Sequence, residues 1–456
     1  MRSVFLASLP VLFVGCLYGE YDDIAAEAPI SLYEVESYPR PAGFGRVLEA
    51  YRAEGPARSR VVASAGTASP YSIFDVWTEA TQGEGNALFD GCDGNCDEGS
   101  GTDITSIGGW QERDACILIG SQVQRDATQD GRLRLQCEGP TNEAVVIATG
   151  RSGEAFGTAV AGLGGFGEAV IGAPGADSGR GGLYILPNDG ANVEALELPQ
   201  LDLAGGARLG SEVEAFEVAG GVVILAAAPG MERVVVLRAQ VDSTGARVTE
   251  AVACIDGVDI RSPSDLLEEG GGMALVDTDG DGEPEALLGD PRADRVLHVP
   301  LVGLSAGAGC TDPAPDTHPG TLEITCGSLP ADGRVICDGL GSSMSSGDFD
   351  ADGDVDIILG AALSSVGGAP GAGALYVLPN SEGFDAGTAR ILSVSSATAE
   401  AGLGARVVVA QSSLSTTPRD EPVASAPGIN ALYIFYCTGL AGDAASETQR
   451  CLGTVP

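Results

Sequence analysis

Two stretches hold the residue types best suited to chemistry. One is Asp277-Thr278-Asp279-Gly280-Asp281-Gly282-Glu283-Pro284-Glu285, and the other is Asp348-Phe349-Asp350-Ala351-Asp352-Gly353-Asp354-Val355-Asp356. Both read D-x-D-x-D-G-x-x-acid. Hard divalent cations take about six to eight oxygen ligands, and carboxylates on alternate residues of a tight loop can converge on one ion. Glycine at the sixth position permits the sharp turn. An EF-hand would need an acid at the twelfth position, which is Leu288 in one loop and Leu359 in the other. The acid stands at the ninth position instead, as Glu285 and Asp356, and short apolar strands rather than long helices flank both loops.

Other constellations carry less. Gly162-Leu163-Gly164-Gly165-Phe166-Gly167 matches G-x-G-x-x-G, but a dinucleotide site needs a helix next and a strand pattern follows, Glu168 to Ile171. Asp90, Asp93 and Asp97 surround Cys92 and Cys96; a disulfide-closed polar loop is the default there, and a further cation the alternative. The two histidines, His298 and His318, are a strand residue and a loop residue. The chain has no H-E-x-x-H or P-loop. Its 64 acidic residues bring some carboxylates together by chance, so acid/base catalysis has no address in the sequence.

The elements that position the loops are short and repeated. Small-residue turns end apolar runs at Gly172-Ala173-Pro174, Ala227-Ala228-Pro229, Gly289-Asp290-Pro291, Gly360-Ala361-Ala362 and Ser425-Ala426-Pro427, with fainter copies ending at Gly66 and Gln122. The spacing averages about 60 residues, which marks a repeat architecture. Upstream of the turns lie Phe44-Gly45, Phe156-Gly157, Leu209-Gly210, Leu340-Gly341 and Leu403-Gly404. Downstream come Leu183-Tyr184-Ile185-Leu186, Leu375-Tyr376-Val377-Leu378 and Leu432-Tyr433-Ile434-Phe435, which are nearly one word. A four-stranded unit of this kind cannot bury both faces alone, and stacking the units radially buries them and shelters the edges.

The Phe-Gly to Gly-Ala-Pro pattern, best at Phe156-Gly157 through Pro174, resembles the FG-GAP repeat of integrin alpha-subunit propellers. The resemblance implies an all-β chain, a seven-bladed β-propeller of FG-GAP-like repeats over residues 42–456. It also implies calcium at about two hairpin loops. Positions one, three, five and nine and the carbonyl of seven then supply the ligands: Asp277, Asp279, Asp281, Glu285 and the carbonyl of Glu283 in one loop. In the other they are Asp348, Asp350, Asp352, Asp356 and the carbonyl of Asp354.

Residues 1–15 read as an export signal, with Arg2 before the apolar run Val4 to Val14. Phe13-Val14-Gly15-Cys16 resembles the lipobox of bacterial lipoproteins, which implies lipidation of Cys16 and a signal peptide ending at Gly15. An ordinary secretory signal cleaved nearby is the alternative. Residues 16–41 read as an acidic tether, part of which, Ile30 to Tyr38, could add a strand elsewhere. Without Cys16, ten of the 11 cysteines remain, an even number that fits disulfides in an oxidising compartment. Cys326 with Cys337 is the best pair, flanking a hairpin tip; Cys92 with Cys96, Cys116 with Cys137 and Cys437 with Cys451 are further candidates. A zinc site lacks the spaced ligand pairs it would need.

The net charge of −40, with no lysine, excludes nucleic-acid and anionic-membrane binding, because phosphates need clustered cations. Membrane contact is therefore expected through the N-terminal lipid alone, on a bacterial outer membrane or cell surface. Taken together, these features predict a non-enzymatic, calcium-binding module for adhesion to a protein or polysaccharide ligand. The alternative is a propeller-scaffold hydrolase or lyase acting on glycans or phosphate esters.

Overall fold

The computed structural model describes residues 30–31, 44–53, 58–64, 72–75, 89–90, 100–110, 113–121, 131–137, 145–162, 169–187, 192–196, 198, 201–241, 247–260, 272–302, 320–330, 333–349, 352–380, 383–393, 397–412 and 419–435. The signal segment, Cys16, Asp350 and the pairs Cys92/Cys96 and Cys437/Cys451 lie outside them. Among the described residues, helix is confined to short turns such as Ala176–Gly179, and no helix is long and apolar enough to cross a membrane.

Apolar runs of a few residues, punctuated by glycine and proline, fold into antiparallel four-stranded sheets. Sheet 1 is Val47–Ala53, Arg58–Ser64, Ser72–Asp75 and Phe89–Asp90. Sheet 2 is Ser100–Trp110, Arg113–Ser121, Arg132–Cys137 and Val145–Thr149. Sheet 3 is Val160–Gly162, Ala169–Gly172, Leu183–Leu186 and Glu194–Ala195. Sheet 4 is Val213–Val218, Gly221–Ala228, Arg233–Val241 and Arg247–Asp256. Sheet 5 is Met273–Val276, Glu285–Asp290, Arg295–Pro300 and Leu322–Thr325. Sheet 6 is Leu340–Gly347, Asp356–Ala361, Ala374–Leu378 and Arg390–Leu392. A two-stranded ribbon, Val335–Ile336 with Ser365–Val366, stands beside it.

The expected seven blades need a correction. Six sheets are each built from one local run of the chain, whereas the closing sheet is composite. Val407–Ser412, Arg419–Ala426 and Ala431–Ile434 supply three of its strands, and Ile30–Ser31 returns from the N-terminal side to add the fourth. Ile30 pairs with Ile434 and Ser31 with Tyr433. A ring made from one chain must join its two ends somewhere, and this sheet is that place.

The arrangement is a β-propeller. Among the described residues, the apolar side chains of each sheet are buried in the seams between successive sheets. Ala161, Leu183 and Ile185 of sheet 3 meet Val213, Ile224 and Val235 of sheet 4. The last seam brings Ala410, Val423 and Leu432 of the closing sheet onto Leu48, Val61 and Ala63 of sheet 1, so the ring closes on itself.

The repeat signature has a steric cause. Among the described residues, the small-residue turns end the second strand of sheets 3 to 6 and of the closing sheet. There, one sheet's backbone nearly touches the Phe-Gly or Leu-Gly pair that opens the next. A Cβ on Gly172 would lie 2.0 Å from the Gly210 carbonyl oxygen, and one on Gly360 would lie 2.1 Å from that of Gly404. Gly210 itself has φ of 86°, where an L side chain is strained. The disulfides tie neighbouring segments: Cys116–Cys137 links adjacent strands of sheet 2, and Cys326–Cys337 closes the segment after sheet 5. Cys254 is also disulfide-bonded. These bonds fit an extracytoplasmic compartment.

The seam contact yields a measurable consequence. Gly172→Ala should lower the free energy of chemical unfolding, and with it the midpoint, by about 1–3 kcal/mol or more, as overpacking does. Gly205→Ala, at a glycine with no atom within 4 Å of the new Cβ, should leave that free energy unchanged to within about 0.5 kcal/mol. Equal midpoints for the two variants would refute the steric account.

Candidate metal centre and axial cavity

Each acidic loop joins the first strand of a sheet to the second, 277–285 in sheet 5 and 348–356 in sheet 6. The ninth-position acid is the first residue of the second strand in both, so strand pairing fixes it. Glu285 is 3% exposed and Asp356 is fully buried. Backbone donors fold the loops in the same way. Gly282 N–H donates to Asp277 Oδ2 at 3.0 Å, and Gly353 N–H to Asp348 Oδ2 at 3.2 Å. Glu283 N–H donates to Asp281 Oδ1 at 2.8 Å, and Asp354 N–H to Asp352 Oδ1 at 2.9 Å. The second residue holds the ninth: Thr278 N–H reaches Glu285 Oε2 at 2.7 Å, and Phe349 N–H reaches Asp356 Oδ2 at 3.0 Å.

In the first loop, Asp277, Asp279 and Glu285 each offer an oxygen, all within 4.8 Å of one another. Asp277 Oδ1 is buried with no hydrogen-bond partner among the described residues. A buried carboxylate oxygen left unpaired is costly, and a hard cation would satisfy it. Burial pushes the Glu285 carboxyl above its ordinary range; the Thr278 hydrogen bonds oppose this, and Asp279 and Asp277 add to it. The donor set therefore fits calcium. The Glu283 side chain is engaged elsewhere, paired with Arg238 of sheet 4, so its carboxylate is not one of the clustered group. Asp281, Asp352 and Asp354 are exposed. His298 is a strand residue, as expected, edge-on to Phe384 at 5.4 Å and 3.3 Å from Thr278 Oγ1. The G-x-G-x-x-G stretch begins at the end of one strand of sheet 3 and is followed by the strand Ala169–Gly172, not by a helix.

The sequence reading missed a second polar site. The first strands of all the sheets surround a central cavity of about 530 Å³. Glu49, Asp103, Glu212, Glu214 and Arg406 line it, along with small hydroxyl residues such as Ser345. Two of the acids brace neighbouring sheets. Glu49 Oε1 accepts from Ser106 N at 2.9 Å, and Asp103 Oδ2 accepts from Val160 N at 2.7 Å. Arg406 Nε donates to the Arg46 carbonyl at 3.1 Å across the closing seam. Burial raises Glu49 to about 7, with Asp103 adding to the shift and the Ser106 bonds opposing it. Burial likewise raises Asp103 to about 6, against the Val160 bond and the Arg406 charge. Glu214 is pushed well above its ordinary range by burial and by the charges of Glu212, Asp103 and Glu49. The signal was present in the repeat register: Glu212 and Arg406 each stand two residues after the glycine of a Leu-Gly pair, Glu214 four after the glycine of Leu209-Gly210, and Glu49 four after that of Phe44-Gly45.

These shifts predict how stability depends on pH. A carboxyl raised in the folded state favours folding below its unfolded value near 4, and that contribution is lost as pH climbs through about 6 to 7. In calcium-free buffer, stability should therefore fall between pH 5 and pH 8. Glu49→Gln, which keeps the acceptor for Ser106, should narrow that fall by about 1–3 kcal/mol. An unchanged slope in that variant would show that Glu49 is not the titrating group.

Residues 340–378, which span three strands of sheet 6 and its acidic loop, match the FG-GAP repeat family. No curated protein matches the chain. Among solved structures, an auxiliary nutrient binding protein from Bacteroides thetaiotaomicron is 10% identical with a TM-score of 0.42, over 70% of this chain and 67% of that one. A triple arginine-to-alanine mutant of AofleA from Arthrobotrys oligospora is 11% identical with a TM-score of 0.43, over 78% and 89%. An alpha-L-arabinanase from Penicillium chrysogenum, complexed with arabinobiose, is 11% identical with a TM-score of 0.37, over 73% and 93%. By its ring of sheets and the match over residues 340–378, the chain is a β-propeller that carries an FG-GAP repeat.

Proposed function

We propose that this chain is a calcium-stabilised, extracytoplasmic propeller that acts as a binding or adhesion module for a protein or polysaccharide. A lipid on Cys16 would hold it to a bacterial outer membrane or cell surface. The observation that carries the calcium reading is the matched pair of loops. Two five-acid sequences in adjacent sheets fold through the same backbone hydrogen bonds, and one of them gathers three carboxylates around a buried unpaired oxygen. Calcium there would fix the first-to-second-strand hairpins of sheets 5 and 6, leaving other loops of the ring for a partner.

A second reading draws on the axial cavity. Its volume falls within the range of small-molecule sites, and it combines raised carboxyls with an arginine. That combination suits acid/base chemistry on a glycan or phosphate ester. Turnover abolished by Glu214→Gln, in a protein that still folds, would establish this reading over the first.

Calcium should raise the melting temperature and a chelator should reverse the rise. At a hundredfold excess over Kd the gain is about 2.7 kcal/mol per site. Asp279→Ala and Asp352→Ala should each remove part of it, and together all of it. A wild-type melt indifferent to calcium would sink the metal assignment.

A further inference from the structure

The two loops are joined by a continuous hydrogen-bond path through one side chain. Asn380 lies just after the third strand of sheet 6. Its backbone N–H donates to Asp356 Oδ1 at 3.0 Å, and Asp356 is the ninth-position acid of the second loop. Its side-chain Nδ2 donates to the Thr278 carbonyl at 2.6 Å, in the second position of the first loop. Thr278 N–H in turn holds Glu285 Oε2 at 2.7 Å, the ninth-position acid of that loop. Three hydrogen bonds therefore run from one ninth-position carboxylate to the other. The middle bond crosses between sheets and spans 102 residues of sequence.

We propose that Asn380 couples cation binding at the two loops, so that an ion in either loop tightens the site in the other. The inference rests on the calcium reading above. An ion in the second loop draws Asp356 toward itself and orders it. Asp356 Oδ1 fixes the Asn380 backbone, and the Asn380 amide then fixes the Thr278 peptide. That peptide sets the position of Glu285, which is buried and has little freedom once Thr278 is held. The second ion therefore meets a loop whose ordering cost has already been met, and its affinity rises. By thermodynamic linkage the effect is equal in both directions. The network extends on either side, through Glu283 to Arg238 of sheet 4 and through Asp348 N–H to Asp420 Oδ2 of the closing sheet at 3.1 Å.

The test is calorimetric titration of the full chain with calcium alone. Asp352→Ala and Asp279→Ala each leave one loop intact and give its isolated affinity. In the wild type, the second ion should bind at least about fivefold tighter than the isolated sites do. Asn380→Ala keeps the backbone donor to Asp356 and removes only the amide link to Thr278. It should bind two ions at the isolated affinities, with a Hill coefficient of about 1. Asn380→Asp, which is isosteric and sets an oxygen against the Thr278 carbonyl, should lose the enhancement too. Wild-type sites with isolated affinities, or an enhancement that survives both Asn380 variants, would overturn the coupling while leaving the calcium sites in place. No heat of binding in any form would overturn the metal reading and the coupling with it.

Discussion

The whole ring depends on how closely neighbouring backbones can approach at the inner end of each seam. Where Gly172 faces the Gly210 carbonyl, there is no room for a methyl group. The same meeting recurs between Gly120 and Gly157, Gly289 and Gly341, and Gly360 and Gly404. Each sheet exposes two apolar faces and is unstable alone, so its stability comes from its neighbours. Bringing the sheets together at their inner ends lets Leu183, Ile185 and their counterparts fill the seams. The glycine-rich composition is thus a packing requirement repeated around an axis.

That axis creates an electrostatic problem. The inner strands converge, and any polar residue on them is crowded against others in a confined space. Glu49 and Asp103 are put to structural use there, accepting backbone N–H groups from the next sheet. Arg406 serves the closing seam in a similar way. Glu214 is tied to the cluster through charge, chiefly that of Glu212, with Asp103 and Glu49 behind it. The acidic loops join strands in sheets 5 and 6 and gather carboxylates in another way, around tight turns instead of across seams. One ring therefore holds two kinds of carboxylate, those that brace its sheets and those gathered in its tight turns.

The sequence made the repeat unit and the first acidic loop legible because both are local. Glycine turns, the Leu-Tyr-Ile-Leu word and alternate aspartates each need only a few neighbouring residues to make sense. The pairing of Cys326 with Cys337 was legible for the same reason, since a short hairpin separates them. The axial cavity was not, because Glu49, Asp103, Glu214 and Arg406 come from four different repeats and meet only once the ring has closed. Asn380 was missed for a similar reason. It stands in an ordinary Leu-Pro-Asn turn, and only the sheet-to-sheet geometry brings its amide to Thr278. The composite closing sheet was half foreseen: Ile30 could be read as a spare strand, but its destination beside Ile434 depends on the ring's curvature.

That closing sheet has a mechanical consequence. Ile30–Ser31 contributes a two-residue pairing at the sheet's edge, whereas the seam between the closing sheet and sheet 1 is filled by Leu48, Val61, Ala63, Val423 and Leu432. A pull entering the molecule at residue 30 would first unzip an edge that holds little. The load path then passes to sheet 1, whose strands are anchored on both sides by apolar seams. The short strand behaves as a fuse: it can part under tension and re-form while the circle of sheets behind it stays shut.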